Sequence, residues 1–408
     1  MKNLSFFIAK RYFFSKKKKS FINVLSIISM LGVATGTMAL VIVLSVFNGL
    51  EDLIRSLYST FDADLKISLK EGKFFKYDDE IKGQIFQVLG IENVTQVIED
   101  NVLVRYNDGE TVVRMKGVSP EFIQSNQLKD FITEGQIKLQ EKEQNFAIVG
   151  RGIRYDLSIN PRNELLALQF YYPKNIKPGV SNPSSMYNSG ILMPAGVFAI
   201  EKQYDEKYIF VPLRFAKKLV GKQNQLTALE VNLDGSQSTR SVQKSLKEQL
   251  GPRFIVQDSD EQHASLLKAI KIEKLFVYLT FSFILAVASF NIFFSLTMLA
   301  LDKKRDVSIL YAMGAPKRTI RNIFLMEGSI ISFSGAIIGG LGGLLLCVLQ
   351  QQFGLVSMGM ASAVQEAYPV KMIFSDFIFT MFSIVLITML ASFKPASVAV
   401  KSLEINRL

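Results

Sequence analysis

Side chains able to do covalent or metal chemistry are scarce in this 408-residue chain. Cys347 is the only cysteine and His263 the only histidine. One thiol cannot form an intrachain disulfide, and one imidazole without cysteine partners is not a metal site. No G-x-x-x-x-G-K-[ST] phosphate loop, H-E-x-x-H helix or G-x-S-x-G elbow occurs. A hydrolytic or metal-dependent centre is therefore unsupported, and any energy the protein uses has to come from another chain. What the sequence offers instead is ionic and apolar. Between Asp302 and Gly328 it strings Lys303, Lys304, Arg305, Lys317, Arg318 and Arg321 around a break at Gly314-Ala315-Pro316. Ile309, Leu310 and Met313 form one apolar set, and Ile320, Ile323 and Phe324 another. A charged helix end, a break and a short basic amphipathic helix suit docking on a partner protein. The plainer alternative is an interfacial helix that binds only anionic lipid headgroups.

The elements that hold this stretch are apolar and long. Phe21 to Phe47 contains no charged residue, and Lys16 to Lys19 stand just before it. A helix of about 27 residues reaches roughly 40 Å, enough to cross a bilayer with tilt. A cleaved signal peptide has a much shorter apolar core, so the segment is expected to be an uncleaved anchor. Leu275 to Leu301 is also uncharged, Ile323 to Val364 carries only Glu327, and Met372 to Phe393 only Asp376. The third span is expected to end near Leu349. Lysine and arginine favour the cytoplasmic side of a membrane. The basic loop 302–322 and the tail with Lys394, Lys401 and Arg407 are thus expected inside, and the loop 350–370, with Glu366 and no Lys or Arg, outside. The formal charge of +11 follows this pattern and does not gather on a nucleic-acid face.

The expected plan is a cytoplasmic helix 1–20, spans at 21–48, 269–301, 323–349 and 371–393, a soluble mixed α/β domain 49–268, loops 302–322 and 350–370, and a tail 394–408. Within the insertion, Leu65, Ile67 and Leu69 alternate as in a half-buried strand. Val102–Tyr106 and Thr111–Met115, joined by Asn107-Asp-Gly-Glu, predict a hairpin. Further strands are expected at 146–149, 164–170, 197–200, 208–211 and 228–233. Helices are expected at 79–89 and at 236–250, the latter closed by Gly251-Pro252. The Pro- and Gly-rich segment 173–190 is expected to be a long loop or protruding hairpin. From Glu261 to Leu301 no Pro or Gly interrupts the chain, which predicts one helix of about 41 residues, roughly 60 Å long.

Within the spans, Gly335, Gly339 and Gly343 repeat at four-residue spacing, with Gly340 and Gly342 between them, and predict close helix approach. Asn291, Ser289 and Ser295 place polar groups in the second span, where cross-helix hydrogen bonding is expected.

The stretch from Asp302 to Gly328 resembles the cytoplasmic loop of FtsX-like ABC-transporter permeases. Within that superfamily three more segments resemble the lipoprotein-releasing, LolC/LolE-type members. These are Ile8–Tyr12 followed by Phe21–Gly32 and Leu44–Gly49, then Phe290-Asn-Ile292, and the strand-like Ala147–Gly152 with Gly196–Phe198. The tail departs from the family, since Phe393-Lys-Pro-Ala396 keeps only part of its usual ending. The resemblance implies a four-span helical permease of the mechanotransmission type in a bacterial inner membrane, with both termini cytoplasmic and the large α/β domain periplasmic. It implies a dimer with a second copy or a paralogue, and a separate ABC ATPase that binds ATP and Mg, this chain binding no cofactor itself. Coupling to that ATPase would fall to Gly314, Ala315, Pro316, Lys317, Arg318, Ile320 and Arg321. Lipoproteins would be drawn from the membrane lipid and passed to a periplasmic carrier. Their acyl chains would lie against Met38, Val41, Leu44, Val46, Phe290 and Ile292. A MacB-like efflux permease and an FtsX-like regulator of a periplasmic hydrolase are the alternatives. Co-purified partners separate them: a lipoprotein carrier, a fusion adaptor or a hydrolase.

Overall fold

A computed structural model describes residues 2–13, 21–124, 128–142, 144–161, 163, 165–174, 186–200, 202–358 and 367–401. The lysine run 16–19, the middle of segment 173–190, Glu366 and Arg407 lie outside the described residues. The chain divides into two compact units, one built on Ile54–Ser265 and the other on Met1–Leu53, Leu266–Gly359 and Gln365–Leu408.

The second of these is helical. α1 spans Lys2–Phe13 and α2 Phe21–Phe61. Strands and helices of the soluble unit follow in order: β1 Leu65–Leu69, β2 Phe75–Lys76, α3 Asp79–Phe86, β3 Ile91–Tyr106, β4 Gly109–Val118, α4 Glu121–Gln124, β5 Ile132–Gly135, β6 Gln140–Glu141 and β7 Gln144–Gly150. Then come α5 Arg151–Asp156, β8 Leu168–Pro173, β9 Tyr187–Phe198, α6 Lys202–Asp205, β10 Tyr208–Pro212, α7 Leu213–Val220, β11 Gln225–Leu226, β12 Ala228–Leu233, α8 Thr239–Leu250, β13 Phe254–Asp258 and α9 Ser259–Gln262. The chain returns to helices with α10 Ala264–Asp302, α11 Lys304–Ala312, α12 Lys317–Phe353 and α13 Phe374–Lys401.

Four helices are long and apolar enough to cross a membrane: Val24–Ser56 within α2, α10, α12 and Phe374–Ser397 within α13. The large α/β insertion lies between the first and second of them in sequence. α2 runs on to Phe61, past the expected end of the span at residue 48. Nothing between Asn48 and Phe61 breaks a helix, because the apolar run gives way to amphipathic Leu53, Ile54 and Leu57 with no proline. The expected unbroken helix from Glu261 is interrupted once. Asp258 and Glu261 form a reciprocal capping box that starts α9 separately, and His263 ends it at φ −108°, so α10 begins at Ala264.

The soluble unit is organised on one large sheet in the order β13-β1-β12-β3-β4-β10-β7-β9-β5, with β8 pairing both β3 and β9. Its centre is the expected hairpin. Tyr106 pairs with Gly109 across a two-residue turn, and Asn107 takes the left-handed conformation, φ +52°, that the tight turn requires. Of the strand expected at 164–170, Glu164 lies outside the described residues, Leu165 is exposed and β8 begins at Leu168. β8 and β9 form an antiparallel ladder out to Pro173 opposite Tyr187, so the segment 173–190 has the base of a hairpin. α8 starts on the Ser238 side chain, which accepts from the Ser241 N–H, and stops at Gly251, φ +71°. Ile67, Ile98, Met115, Val149, Phe170, Ile209 and Val231 fill the core.

One face of the sheet centre also carries a charged ladder that alternation does not reveal. Lys116 on β4 and Glu230 on β12 are both nearly inaccessible and pair at 2.8 Å. Glu99 on β3 stands opposite Lys116 and binds Lys66 of β1 at 3.1 Å, while the Tyr208 hydroxyl donates to it at 3.0 Å. Burial alone would raise the Glu99 carboxyl, but Lys66, Lys116 and Arg114 outweigh it and lower it to about 2. Each buried charge therefore has its counter-charge, which is what makes its burial tolerable.

Candidate functional site

In the helical unit, the turn between α11 and α12 is built by backbone chemistry. Gly314 ends α11 at φ +91°; its N–H donates to the Tyr311 carbonyl at 3.0 Å, and the Ala315 N–H to Leu310 at 3.0 Å. This pair of bonds is a Schellman stop, with glycine at the left-handed position where a Cβ would be strained. Pro316 then caps α12 at φ −67°, and its carbonyl accepts from the Thr319 N–H at 2.8 Å. Proline suits this place because it cannot extend α11 and pre-sets the backbone entering α12. The break is thus a rigid corner.

The side chains on the corner sort by direction. Gly314, Pro316, Lys317 and Arg318 are exposed, Ala315 and Arg321 half-buried. Met313 is 79% exposed, and Ile309 is also exposed. Ile320 points the other way: it is fully buried with Leu299, Ala300, Val307, Phe324 and Ala396. Ile320, expected to take part in ATPase coupling, thus lies in the foundation of the corner and not on its exposed surface. The outward apolar set is Ile309 and Met313, one turn before the glycine.

α1 braces the same corner, a role its sequence does not announce. The Ser5 hydroxyl donates to the Thr319 carbonyl at 3.4 Å, and the Lys303 ammonium lies 5.8 Å from the Tyr12 ring centre. Burial first, then Asp306 and Glu327 nearby, pushes the Tyr12 hydroxyl up to about 12. Glu327 itself is 1% exposed, and among the described residues its Oε2 has no hydrogen-bond partner.

At the other end of these helices, charges are satisfied within the chain. Lys274 Nζ at the start of α10 donates to Asn48 Oδ1 on α2 and to Asp376 Oδ2 on α13, each at 2.7 Å. Asn48 Nδ2 donates to the same carboxylate oxygen at 2.9 Å. Lys371 pairs with Asp52, and its N–H donates to the Ser45 carbonyl at 2.9 Å. Gly49 lies so close to Pro369 and Val370 that a Cβ there would meet their backbone. Three helices are pinned at one level by one lysine.

Between the two ends, the glycines do what their spacing predicts. Gly335, Gly339 and Gly343 all face α2: a Cβ on Gly335 would lie 2.9 Å from the Met30 carbonyl, one on Gly343 3.0 Å from Val41, and one on Gly339 would collide with the Ala34 carbonyl. Gly340 faces Phe377 and Met381 of α13. Ser26 on α2 and Ser295 on α10 share a hydrogen bond at 3.0 Å. Asn291, expected to bond across helices, is instead exposed, and Ser289 bonds within its own helix to the Ala286 carbonyl at 2.6 Å.

The residues proposed to touch acyl chains divide similarly. Val41, Leu44 and Ile292 are buried in helix packing. Met38 and Val46 are half-buried, with the Met38 sulfur near Gly342. Phe290 is 61% exposed and belongs to a stripe with Phe283, Val287 and Phe294, at spacings of one helical turn. An apolar first span has inward and outward apolar residues alike, so hydropathy cannot separate them; a packed partner can.

The sequence matches two families, the FtsX-like permease C-terminal family over residues 278–402 and the MacB-like periplasmic core domain over 26–162. It is 25% identical to a lipoprotein-releasing system transmembrane protein LolC of Buchnera aphidicola, the alignment covering 86% of this chain and 85% of that one. A LolC of Neisseria meningitidis is 24% identical, covering 85% and 82% respectively. A LolE of Haemophilus influenzae is 23% identical, covering 85% and 83%.

Proposed function

We propose that this chain is an FtsX-like permease of the lipoprotein-releasing, LolC/LolE type, a reading its likeness to LolC, LolE and the FtsX-like family supports, and that it is the membrane subunit through which a partner ATPase drives lipoproteins out of the bacterial inner membrane. The partner would bind ATP and Mg, this chain supplying no nucleotide site. The charge distribution supports a cytoplasmic location for both termini and the α11–α12 corner, and a periplasmic location for the soluble unit. A second copy or a paralogue would complete a dimer, and a soluble carrier would receive the lipoprotein.

The observation that carries this reading is the corner itself. Its backbone is locked by the Schellman stop and Pro316, its base by Ile320 and Phe324, and its outer surface combines Ile309 and Met313 with Lys317 and Arg318. A rigid, exposed, basic and partly apolar knob can transmit a push, because little of the push is lost in bending. Gly314, Ala315 and Pro316 shape the knob, Lys317, Arg318 and Arg321 offer its charge, and Ile320 anchors it.

The work to be done is apolar. Each acyl methylene withdrawn from the bilayer costs about 0.8 kcal/mol, so coupling to ATP hydrolysis is physically reasonable. Phe290, with Phe283, Val287 and Phe294, offers an exposed apolar stripe on α10 for acyl chains; Met38 and Val46 flank the first span. Glu327 and Asp376 are the charged residues within the apolar runs of the spans, which suits a substrate that never crosses the bilayer.

Reconstitution with the cognate ATPase in proteoliposomes tests the proposal. ATP should release a labelled lipoprotein to a soluble carrier, and Lys317→Glu with Arg318→Glu should stop that release. Normal release by the charge-reversed protein would reject the corner as the coupling site. Capture of a fusion adaptor or a peptidoglycan hydrolase, with no ATP-dependent lipoprotein release, would reject the transport reading.

A further inference from the structure

The soluble unit carries a cleft of its own that the proposed coupling role does not use. A cleft of about 780 Å³ opens where β4 and β10 end and α7 begins. These two strands run parallel, Val118 beside Pro212, so both release their chains at one edge. The α4 turn, the segment before β6 and the first turn of α7 close the other sides. The volume falls in the range of ligand-binding clefts, and far exceeds what a single small anion fills.

The cleft's charge is one-sided. Lys138 and Lys142 line it from the β6 side, Arg214 and Lys217 from α7, against one carboxylate, Glu121. Lys138 is already paired with Glu141 and lies over the Phe146 ring. Among the described residues, no carboxylate lies within ion-pair distance of Lys142, Arg214 or Lys217. Lys217 is half-buried, and burial lowers its pKa from the usual lysine value. A cation partly stripped of water and lacking a counter-charge gains from an arriving anion more than a fully hydrated one. The contrast with the sheet's charged ladder is internal to this unit: there every buried charge is matched, and here three cations are left over.

The remaining wall is apolar. Val118, Ile123, Ile137 and Leu139 line the same cleft. A phosphate or sulfate would use the cations and leave these side chains bare. An extended peptide places side chains on alternate sides, so it can present carboxylates to the cations and apolar groups to the wall together.

We propose that this cleft docks an acidic, partly apolar peptide segment of a partner protein, its carboxylates meeting Lys142, Arg214 and Lys217 and its apolar side chains lying on Val118, Ile123 and Leu139. The electrostatic part sets the on-rate and the salt dependence; the apolar part sets residence.

The test uses the full-length protein in nanodiscs and a fluorescein-labelled peptide alternating Asp and Leu, read by fluorescence anisotropy. Saturable binding is expected, weakening as salt is raised. Arg214→Glu with Lys217→Glu should weaken it by about tenfold or more, and Leu139→Asp should weaken it without the paired variant's change in salt dependence. Both α7 cations project from the surface or its margin, and an unchanged circular dichroism melt for that variant confirms folding. Equal binding of a Lys-Leu peptide, or wild-type affinity in the paired variant, overturns the proposal. Complete displacement by millimolar inorganic phosphate, with Leu139→Asp inert, also overturns it by reducing the cleft to a simple anion site.

Discussion

The two ends of the helical unit treat charge in opposite ways. At one end Lys274, Asn48 and Asp376 neutralise one another across α2, α10 and α13, and Lys371 answers Asp52. At the other, the corner between α11 and α12 turns Lys317 and Arg318 outward over an apolar cluster that includes Ile320 and Phe324. Charge satisfied inside the chain holds helices together. Charge displayed on the exposed face of a stiff corner adds little to stability and is presented to solvent. The first end is thus structural, and the second is the one to which the proposed function gives recognition.

Four variants break or sharpen this contrast, in falling order of their cost to stability. Gly339→Leu drives a side chain into the α2 backbone between the two ends and should cost about 3 kcal/mol or more. Thermal unfolding in detergent should show both ends loosening together, and an unchanged melt would mean α2 does not seat against α12. Ile320→Ala empties a fully buried site and should cost about 3 kcal/mol. It should also weaken ATPase association without altering a surface residue, which pull-down of the complex measures. Asp376→Ala strips Lys274 and Asn48 of their shared acceptor and should cost about 2 kcal/mol, less than a fully buried pair because both partners retain some solvent. ATPase association should survive it. Lys317→Glu with Arg318→Glu should change stability by less than about 0.5 kcal/mol yet abolish ATPase-driven release. If this last variant melted like Ile320→Ala, the distinction between the two ends would fail.

Much of this arrangement could be read from local pattern. The Asn107-Asp-Gly turn, the strands at 146–149, 208–211 and 228–233, the glycine spacing and the corner at Gly314-Ala-Pro each depend on residues a few positions apart. The parts that escaped depend on distant partners. Lys274 and Asp376 look like stray charges at span ends until folding brings them together. Lys116 and Glu230 sit in alternating strands as ordinary surface charges, yet both are buried. Val41, Leu44 and Ile292 are as apolar as Phe290, and only packing shows that they face inward. α10 starts later than its composition suggests because a four-residue capping box, Asp258 to Glu261, outweighed an uninterrupted helical composition.

The glycines of α12 have a mechanical consequence. Three of them form a slot for the backbone of α2, while Gly340, a quarter-turn or so away, admits the side chains of α13. Turning α12 about its own axis by a single residue would swing Ile338 or Leu341 into a space made for a hydrogen atom. The helix is therefore keyed like a shaft in a slot, able to slide or tilt against its neighbours but not to spin. A load applied at its Pro316 end travels along it as thrust and not as torque.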